Sequence, residues 1–192
     1  MELHPLRRRD AAEWSRLRLA NEDWLRTWEP SAPQPWAARH TPSAFRAMRR
    51  ALARRARLGS SLPFAVRVEG RLAGQVTIDN VVRGALRSGY LGYWIDRSVA
   101  GRGMASLAVA LVCDHAFGAA GLHRVQADIR PENLPSQRLV ERLGFQREGL
   151  LRRYLDIDGD WRDHLAFALL AEDLPRGVLS RWRDMSPGRP VD

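Results

Sequence analysis

Lysine is absent from this chain: all 31 basic side chains are arginine, set against 22 acidic ones, for a formal net charge of +9. Such a balance draws anions of any kind, whether a phosphorylated small molecule, an acidic peptide or RNA, and serves equally as a solvated exterior. The one cysteine, Cys113, rules out an intrachain disulfide and agrees with a reducing compartment. It falls on or beside an apolar stripe, where an inert buried thiol is expected. The five histidines are scattered with no pair at metal-ligand spacing, so no metal site is predicted. No run approaches the roughly eighteen apolar residues of a membrane span. The opening MELHPLRRRDAAEW lacks an apolar stretch after its basic residues, which argues against a secretory signal, and a cytoplasmic protein is expected. No internal repeat or second domain is visible.

What is present suits a globular domain: 192 residues, 45% hydrophobic and 28% charged. The most informative stretch runs from Tyr90 to Ala119. Its β-rich start (Tyr90, Leu91, Tyr93, Trp94, Ile95) breaks at Asp96 and passes a turn containing Gly101 and Gly103. Helical spacing then sets in, with Met104, Leu107, Ala108, Leu111, Val112 and Ala116 on one stripe. Glycines let a backbone approach a ligand closely, and a helix start offers free N–H groups at its positive dipole end, a combination that binds phosphate. A sharp strand-to-helix connection with no ligand uses the same residues.

Toward the N-terminus, residues 3 to 9 predict an edge strand, followed by a helix from Ala11 with Asp10 as N-cap and Glu13 completing a capping box. Pro30, Pro33 and Pro35 interrupt the next segment, which carries Trp24, Trp28 and Trp36; these aromatics either line a pocket or pack the loop onto the core. Thr41-Pro42-Ser43 opens a second helix with Phe45, Met48 and Leu52 on one side and arginines on the other, a solvated face or an RNA-binding one. Phe64, Val66 and Val68 alternate, Glu69-Gly70 turns the chain, and Leu72 to Ile78 returns as the partner strand.

After the central helix, HRVQADIR reads as a strand with Val125, Ala127 and Ile129 on one side and Gln126, Asp128 and Arg130 on the other. In RPENLPSQRLVERLGF, Asn133 fits an N-cap and Gly144 the position past the helix end, while Ser136 shares a face with Leu139, Val140 and Leu143. Its hydroxyl either bonds a nearby backbone carbonyl or has a function. RRYLDI and WRDHLAFALL form a last hairpin around Asp158-Gly159-Asp160. Periodicity fades after Pro175, so residues 1–175 are expected to form one domain and 176–192 a loose tail.

Taken together, these motifs resemble the GNAT superfamily of N-acetyltransferases, and within it the RimJ/RimL-type ribosomal-protein-alanine enzymes. AGRGMA is similar to the superfamily's acetyl-CoA pyrophosphate loop, with Gly103 and Ala105 fitting and Ala100 in place of the usual Gln or Arg. NLPSQRLVERLGF reproduces the spacing of the cofactor-side helix, and EGLLRRYLDIDGDWRDHLAFAL the terminal hairpin. The resemblance implies an α/β (α+β) fold: a mixed, mostly antiparallel twisted sheet flanked by helices, with a strand, glycine turn and helix at its centre.

It implies acetyl-CoA as donor and no metal. Backbone groups of Tyr93, Trp94 and Ile95 are expected along the pantetheine arm, Gly101, Arg102, Gly103, Met104, Ala105 and Ser106 around the pyrophosphate, and Asn133 and Ser136 against the cofactor. Where many relatives carry a tyrosine acid this chain has Val140, leaving Ser136 to donate to the departing thiolate directly or through water. Asp128 is the implied base, set against the alternative that it only pairs with an arginine; Tyr154 and Asp156 are further candidates, and Leu155 stands where RimL-like enzymes have glutamate. A water chain relaying the proton is the remaining option. Trp24, Trp28 and Glu29 are expected on the acceptor side. The implied acceptor is a protein N-terminus, such as that of a ribosomal protein, so that nucleic acid is met only indirectly; a homodimer is common among relatives, and no membrane is involved. A small amine such as an antibiotic or polyamine is the second reading, and a non-catalytic domain binding CoA or RNA the third.

Overall fold

A computed structural model of the 192-residue chain describes residues 1–185. Its strands are β1 (Glu2–His4), β2 (Leu62–Val68), β3 (Arg71–Val82), β4 (Ser88–Ile95), β5 (Arg124–Ile129), β6 (Gln146–Ile157) and β7 (Asp160–Leu170). The α-helices are α1 (Ala11–Ala20), α2 (Glu22–Leu25), α3 (Trp36–Arg39), α4 (Pro42–Arg57), α5 (Met104–Phe117), α6 (Leu134–Arg142) and α7 (Val178–Asp184). The strands form one sheet in the order β1-β2-β3-β4-β5-β7-β6, antiparallel except between β4 and β5. That parallel pair is where the chain crosses over through α5.

The two faces of the sheet are covered differently. Period-two alternation sends Val76, Ile78, Leu91, Val125 and Ala127 to one face, where they meet α5 in the larger core. On the opposite face a smaller core of Trp14, Leu17, Phe45, Ala65 and Leu72 lies under α1 and α4.

Three local expectations are corrected. Asp10 stands at the N-cap position of α1 but makes no capping bond with its side chain: fully buried at the end of a 3-10 turn, it accepts the Arg7 N–H at 2.7 Å and pairs with Arg67 of β2 at 2.7 Å. Glu13 completes no box either, because it accepts the Leu72 N–H at 3.0 Å. Both carboxylates tie the first helix to the sheet, a long-range use that local patterning cannot reveal. The second correction concerns α5, whose Val109 and Ala110 are buried beside Leu107, Ala108, Val112 and Ala116 of the expected stripe, while Cys113 is buried as expected. In the third, the chain after Pro175 does not trail away but forms α7, which lies against α5 and buries Val178 and Trp182. The Asp114 carboxylate of α5 accepts the N–H groups of Val178 and Leu179 at 2.6 and 3.1 Å, capping α7 from a distance. Residues 186–192 of the expected tail lie outside the described residues.

The proline-interrupted segment also holds more structure than expected, namely α2, a 3-10 turn and α3. It docks on the β6–β7 hairpin, where the Ser31 N–H reaches the Asp156 carbonyl at 2.8 Å and the Ser31 hydroxyl its carboxylate at 2.6 Å.

Candidate functional site

The site begins where two strands part. β4 and β5 pair only at Ser88–Arg124, Gly89–Val125 and Tyr90–Gln126, and then both continue without pairing to each other. The edge of Leu91–Ile95 that faces β5 therefore has no strand partner, and a groove of about 1010 Å³ opens beside it. Buried polar backbone is rarely left unmatched, so a cleft of this shape suits an extended polar chain laid between the strands.

At the end of β4 the chain turns through Gly101 and Gly103, with φ of 74° and 77°. Left-handed backbone is unfavourable for residues with a Cβ, which accounts for glycine at both positions. Gly103 caps α5 without a side-chain bond, and the first helical hydrogen bond is Leu107 N–H to the Gly103 carbonyl at 3.0 Å. The N–H groups of Met104, Ala105 and Ser106 have no backbone acceptor among the described residues. The start of this 14-residue helix faces the groove, with Gly101, Gly103, Ala105 and Ser106 among its lining. Arg102 and Met104, expected with them, do not line it. A chain carrying phosphates at one end, with a slender polar arm at the other, fits this pairing of bare helix start and bare strand edge.

Across the cleft, Asn133 caps α6 by accepting the Ser136 N–H at 3.2 Å. The Ser136 hydroxyl lies 2.6 Å from the hydroxyl of Tyr93, not on a backbone carbonyl. Burial pushes the Tyr93 phenol up to about 12. The pair is thus neutral across the working pH range and able to donate a hydrogen bond, although the phenol is too weak an acid to surrender its proton readily. Val140, at the position of the missing tyrosine, is fully buried in the core. Tyr93, singled out only for its backbone, brings a phenol to the cleft instead, which no spacing rule on a single strand discloses.

The other face of the splayed strands supplies the second end of the groove. Tyr90, Gly92 and Trp94 alternate outward on β4, and a Cβ built on Gly92 would meet no atom within 4 Å. Asp128 accepts the Gln126 amide at 2.8 Å and is a neighbour of the Tyr154 phenol. No arginine lies within ion-pair distance of it among the described residues, so the alternative of a simple arginine partner is not realised. Burial and the neighbouring Asp128 carboxylate push the Tyr154 phenol up to about 12. Leu155 lines the groove next to it, whereas Asp156 is spent holding Ser31.

The tryptophan segment divides by role. Trp24 and Trp28 line the groove; Trp36 does not, being 7% exposed and bonded through its indole N–H to the Arg18 carbonyl at 3.0 Å. Trp24 donates to the Ile95 carbonyl at 3.2 Å, so that carbonyl of the expected cofactor strand is already engaged. Trp28 carries the Arg130 guanidinium 5.5 Å above its ring. Glu29 reaches the groove but both its oxygens are occupied, one by Arg18 and the other by Arg39 at 3.1 Å. Arg18 is 3% exposed and stacked among the rings of Trp14, Trp36 and Trp94 at 5.7, 4.8 and 5.0 Å. Burial draws its pKa below the usual arginine value, and Glu29 opposes that shift. His40 accepts from it at 3.0 Å, and burial together with Arg18 lowers the His40 pKa to about 4. Two groups of this region went unrecognised in the sequence: Arg18, hidden among many arginines, and His164, a lone histidine in a strand that alternates like any other.

A model of the acetyltransferase (GNAT) domain matches residues 1–146. The structure is similar to RimJ of Mycobacterium smegmatis solved in complex with CoA-disulfide, with a TM-score of 0.93 and 46% identity, covering 95% of this chain and 88% of that one. In sequence it is 32% identical over 171 residues to the [ribosomal protein uS5]-alanine N-acetyltransferase of Escherichia coli (strain K12), covering 88% of this chain and 87% of that protein. A match to the probable N-acetyltransferase YjcK of Bacillus subtilis (strain 168) reaches 41% identity over 105 residues but spans only 58% of that protein. The family model and the two long alignments agree with the splayed strands and their bare helix start: this chain belongs to the GNAT acetyltransferases.

Proposed function

We propose that the protein transfers acetyl from acetyl-CoA to the α-amine at the N-terminus of another protein. The observation that carries this reading is the single groove that joins the bare start of α5 to the Asp128–Tyr154 pair across the gap between β4 and β5. The reading is supported by the relatives named for RimJ and for uS5-alanine acetylation.

The N–H groups at the start of α5 would hold the pyrophosphate, with Gly101 and Gly103 letting it approach; Arg102 and Met104 shape that turn from outside the groove. The free edge of Tyr93 and Trp94 would bond the pantetheine arm and polarise the thioester carbonyl, where negative charge grows during attack. Asn133 holds the start of α6 so that the Ser136 hydroxyl, backed by the Tyr93 phenol, donates to the departing sulfur. A protonated thiol then leaves once a water supplies the proton. On the acceptor side the Asp128 carboxylate, fixed by Gln126 beside the Tyr154 phenol, attracts the ammonium form of the amine. Trp24 and Trp28 wall that end, while Glu29 acts through the Arg18 and Arg39 pairs that position the segment. The open floor at Gly92 leaves room for residues following the first.

The test is turnover of acetyl-CoA against peptides of varied first residue beside a panel of small amines. Transfer to peptide α-amines at a kcat/KM well above that for any small amine is expected. Efficient acetylation of a small amine with no peptide activity would replace this reading with the small-molecule one, and tight CoA binding with no turnover on either panel would leave a binding domain.

A further inference from the structure

One buried titratable side chain at the acceptor end has no task in the scheme above. His164 sits on β7, 3% exposed, and lines the groove with Asp128 and Tyr154. Its Nδ1 lies 3.1 Å from the Arg162 carbonyl. A carbonyl oxygen only accepts, so Nδ1 carries the hydrogen and Nε2 keeps the lone pair. Nε2 has no protein partner among the described residues and is not sealed off, on a side chain that lines the groove. The Tyr154 ring stands edge-on at 5.7 Å between centroids and fixes the imidazole plane. The neighbouring groups do not offer the same thing. Asp128 already accepts from Gln126, and the Tyr154 phenol, its pKa raised by burial and that carboxylate, keeps its proton.

We propose that Nε2 of His164 takes the proton that the acceptor ammonium must lose before it attacks, while Asp128 holds that ammonium alongside. The inference rests on the acetyl-transfer reading. The proton passes from nitrogen to Nε2, and the freed lone pair forms the C–N bond to the acetyl carbon. The C–S bond breaks, the second amine proton leaves with the sulfur through the water at Ser136, and the imidazolium returns its proton to solvent. Burial lowers the His164 pKa and Arg130 pushes the same way, while the Arg162 carbonyl, Asp128 and Glu132 oppose them. The ring is therefore neutral and able to accept at neutral pH.

The experiment follows kcat/KM for a peptide acceptor against pH in the wild type, in His164→Gln, which keeps a polar side chain that cannot take a proton, and in His164→Ala with and without added imidazole. CoA calorimetry and thermal melts are run on each. We expect a loss of roughly 100-fold or more at pH 7 in both variants, in the range of a missing general base. CoA affinity stays unchanged, the deficit shrinks as pH rises past about 8, where α-amines arrive neutral, and imidazole restores rate to His164→Ala. Wild-type rates in His164→Gln, or a deficit constant across pH with no imidazole rescue, would overturn the assignment to His164 alone. A wild type that binds CoA yet acetylates no amine would bring down the acetyl-transfer reading and this inference with it.

Discussion

The two faces of the sheet are held together by different physics. On the α5 side, Leu107, Val109, Val112, Val125 and Phe167 are buried against one another, and stability there comes from removing apolar surface from water. On the α1 side, the apolar cluster is small, and beside it a guanidinium stacks among three tryptophans, pairs with Glu29 and contacts His40. The donor half of the groove stands on the first face and the acceptor half on the second. A shape shared by every substrate can rest on rigid apolar packing. A wall that reads the acceptor is instead pinned by buried charges, which lose far more when one partner is removed than they contribute together.

The sharpest way to break this contrast is Arg18→Ala, which leaves Glu29 to Arg39 alone and empties the aromatic cage. A loss of about 3–5 kcal/mol is expected from urea denaturation, with CoA affinity much less affected in whatever folded fraction remains. Arg18→Met, which refills the volume without the charge, is expected to recover part of that loss. Equal stability of all three proteins would show that the cage does not hold the acceptor face.

A smaller effect is expected from pH. The folded state keeps His40 neutral down to about 4, whereas the unfolded chain binds that proton below an ordinary histidine value of 6.5. Between those values the unfolded state carries more protons, so stability is complete above pH 6.5 and declines as pH falls toward 4. His40 should account for about 2 kcal/mol between pH 7 and pH 5, and His164, held down in the same sense, adds to the slope. Thermal melts of His40→Gln across that window should show a flatter dependence than the wild type.

The smallest effect on stability is expected where the effect on function is specific. Gly92→Val adds a side chain into open groove and a β-branched residue to a strand, so melting temperature should change little. The KM for a peptide acceptor should rise on the order of tenfold while CoA affinity holds. A matching loss of CoA affinity would move the acceptor path away from Gly92.

How much of this was legible in the sequence follows from the range of the interactions involved. The strand, glycine turn and helix of 90–119, the Asn133 cap and the β6–β7 hairpin rest on contacts between near neighbours, and spacing shows them directly. The tasks of Asp10 and Glu13 depend on strands some sixty residues away, as the 57- and 59-residue separations of Asp10 from Arg67 and Glu13 from Leu72 show. α7 is not legible because its short run VLSRWRD has little periodicity of its own and becomes a helix by packing on α5 and borrowing the Asp114 cap.

By itself, the sequence determined the order of the central strands and the long helices, the apolar faces of β2 and β5 and the glycine turn that leaves a helix start bare, since each follows from backbone sterics and side-chain alternation within a few residues. Only the tertiary structure decided that Tyr93 meets Ser136, that Asp128 faces Tyr154 with His164 beside them, and that Arg18 belongs to the tryptophans. These pairs join distant strands and helices, and their energies depend on a burial that exists only once the sheet has closed around them.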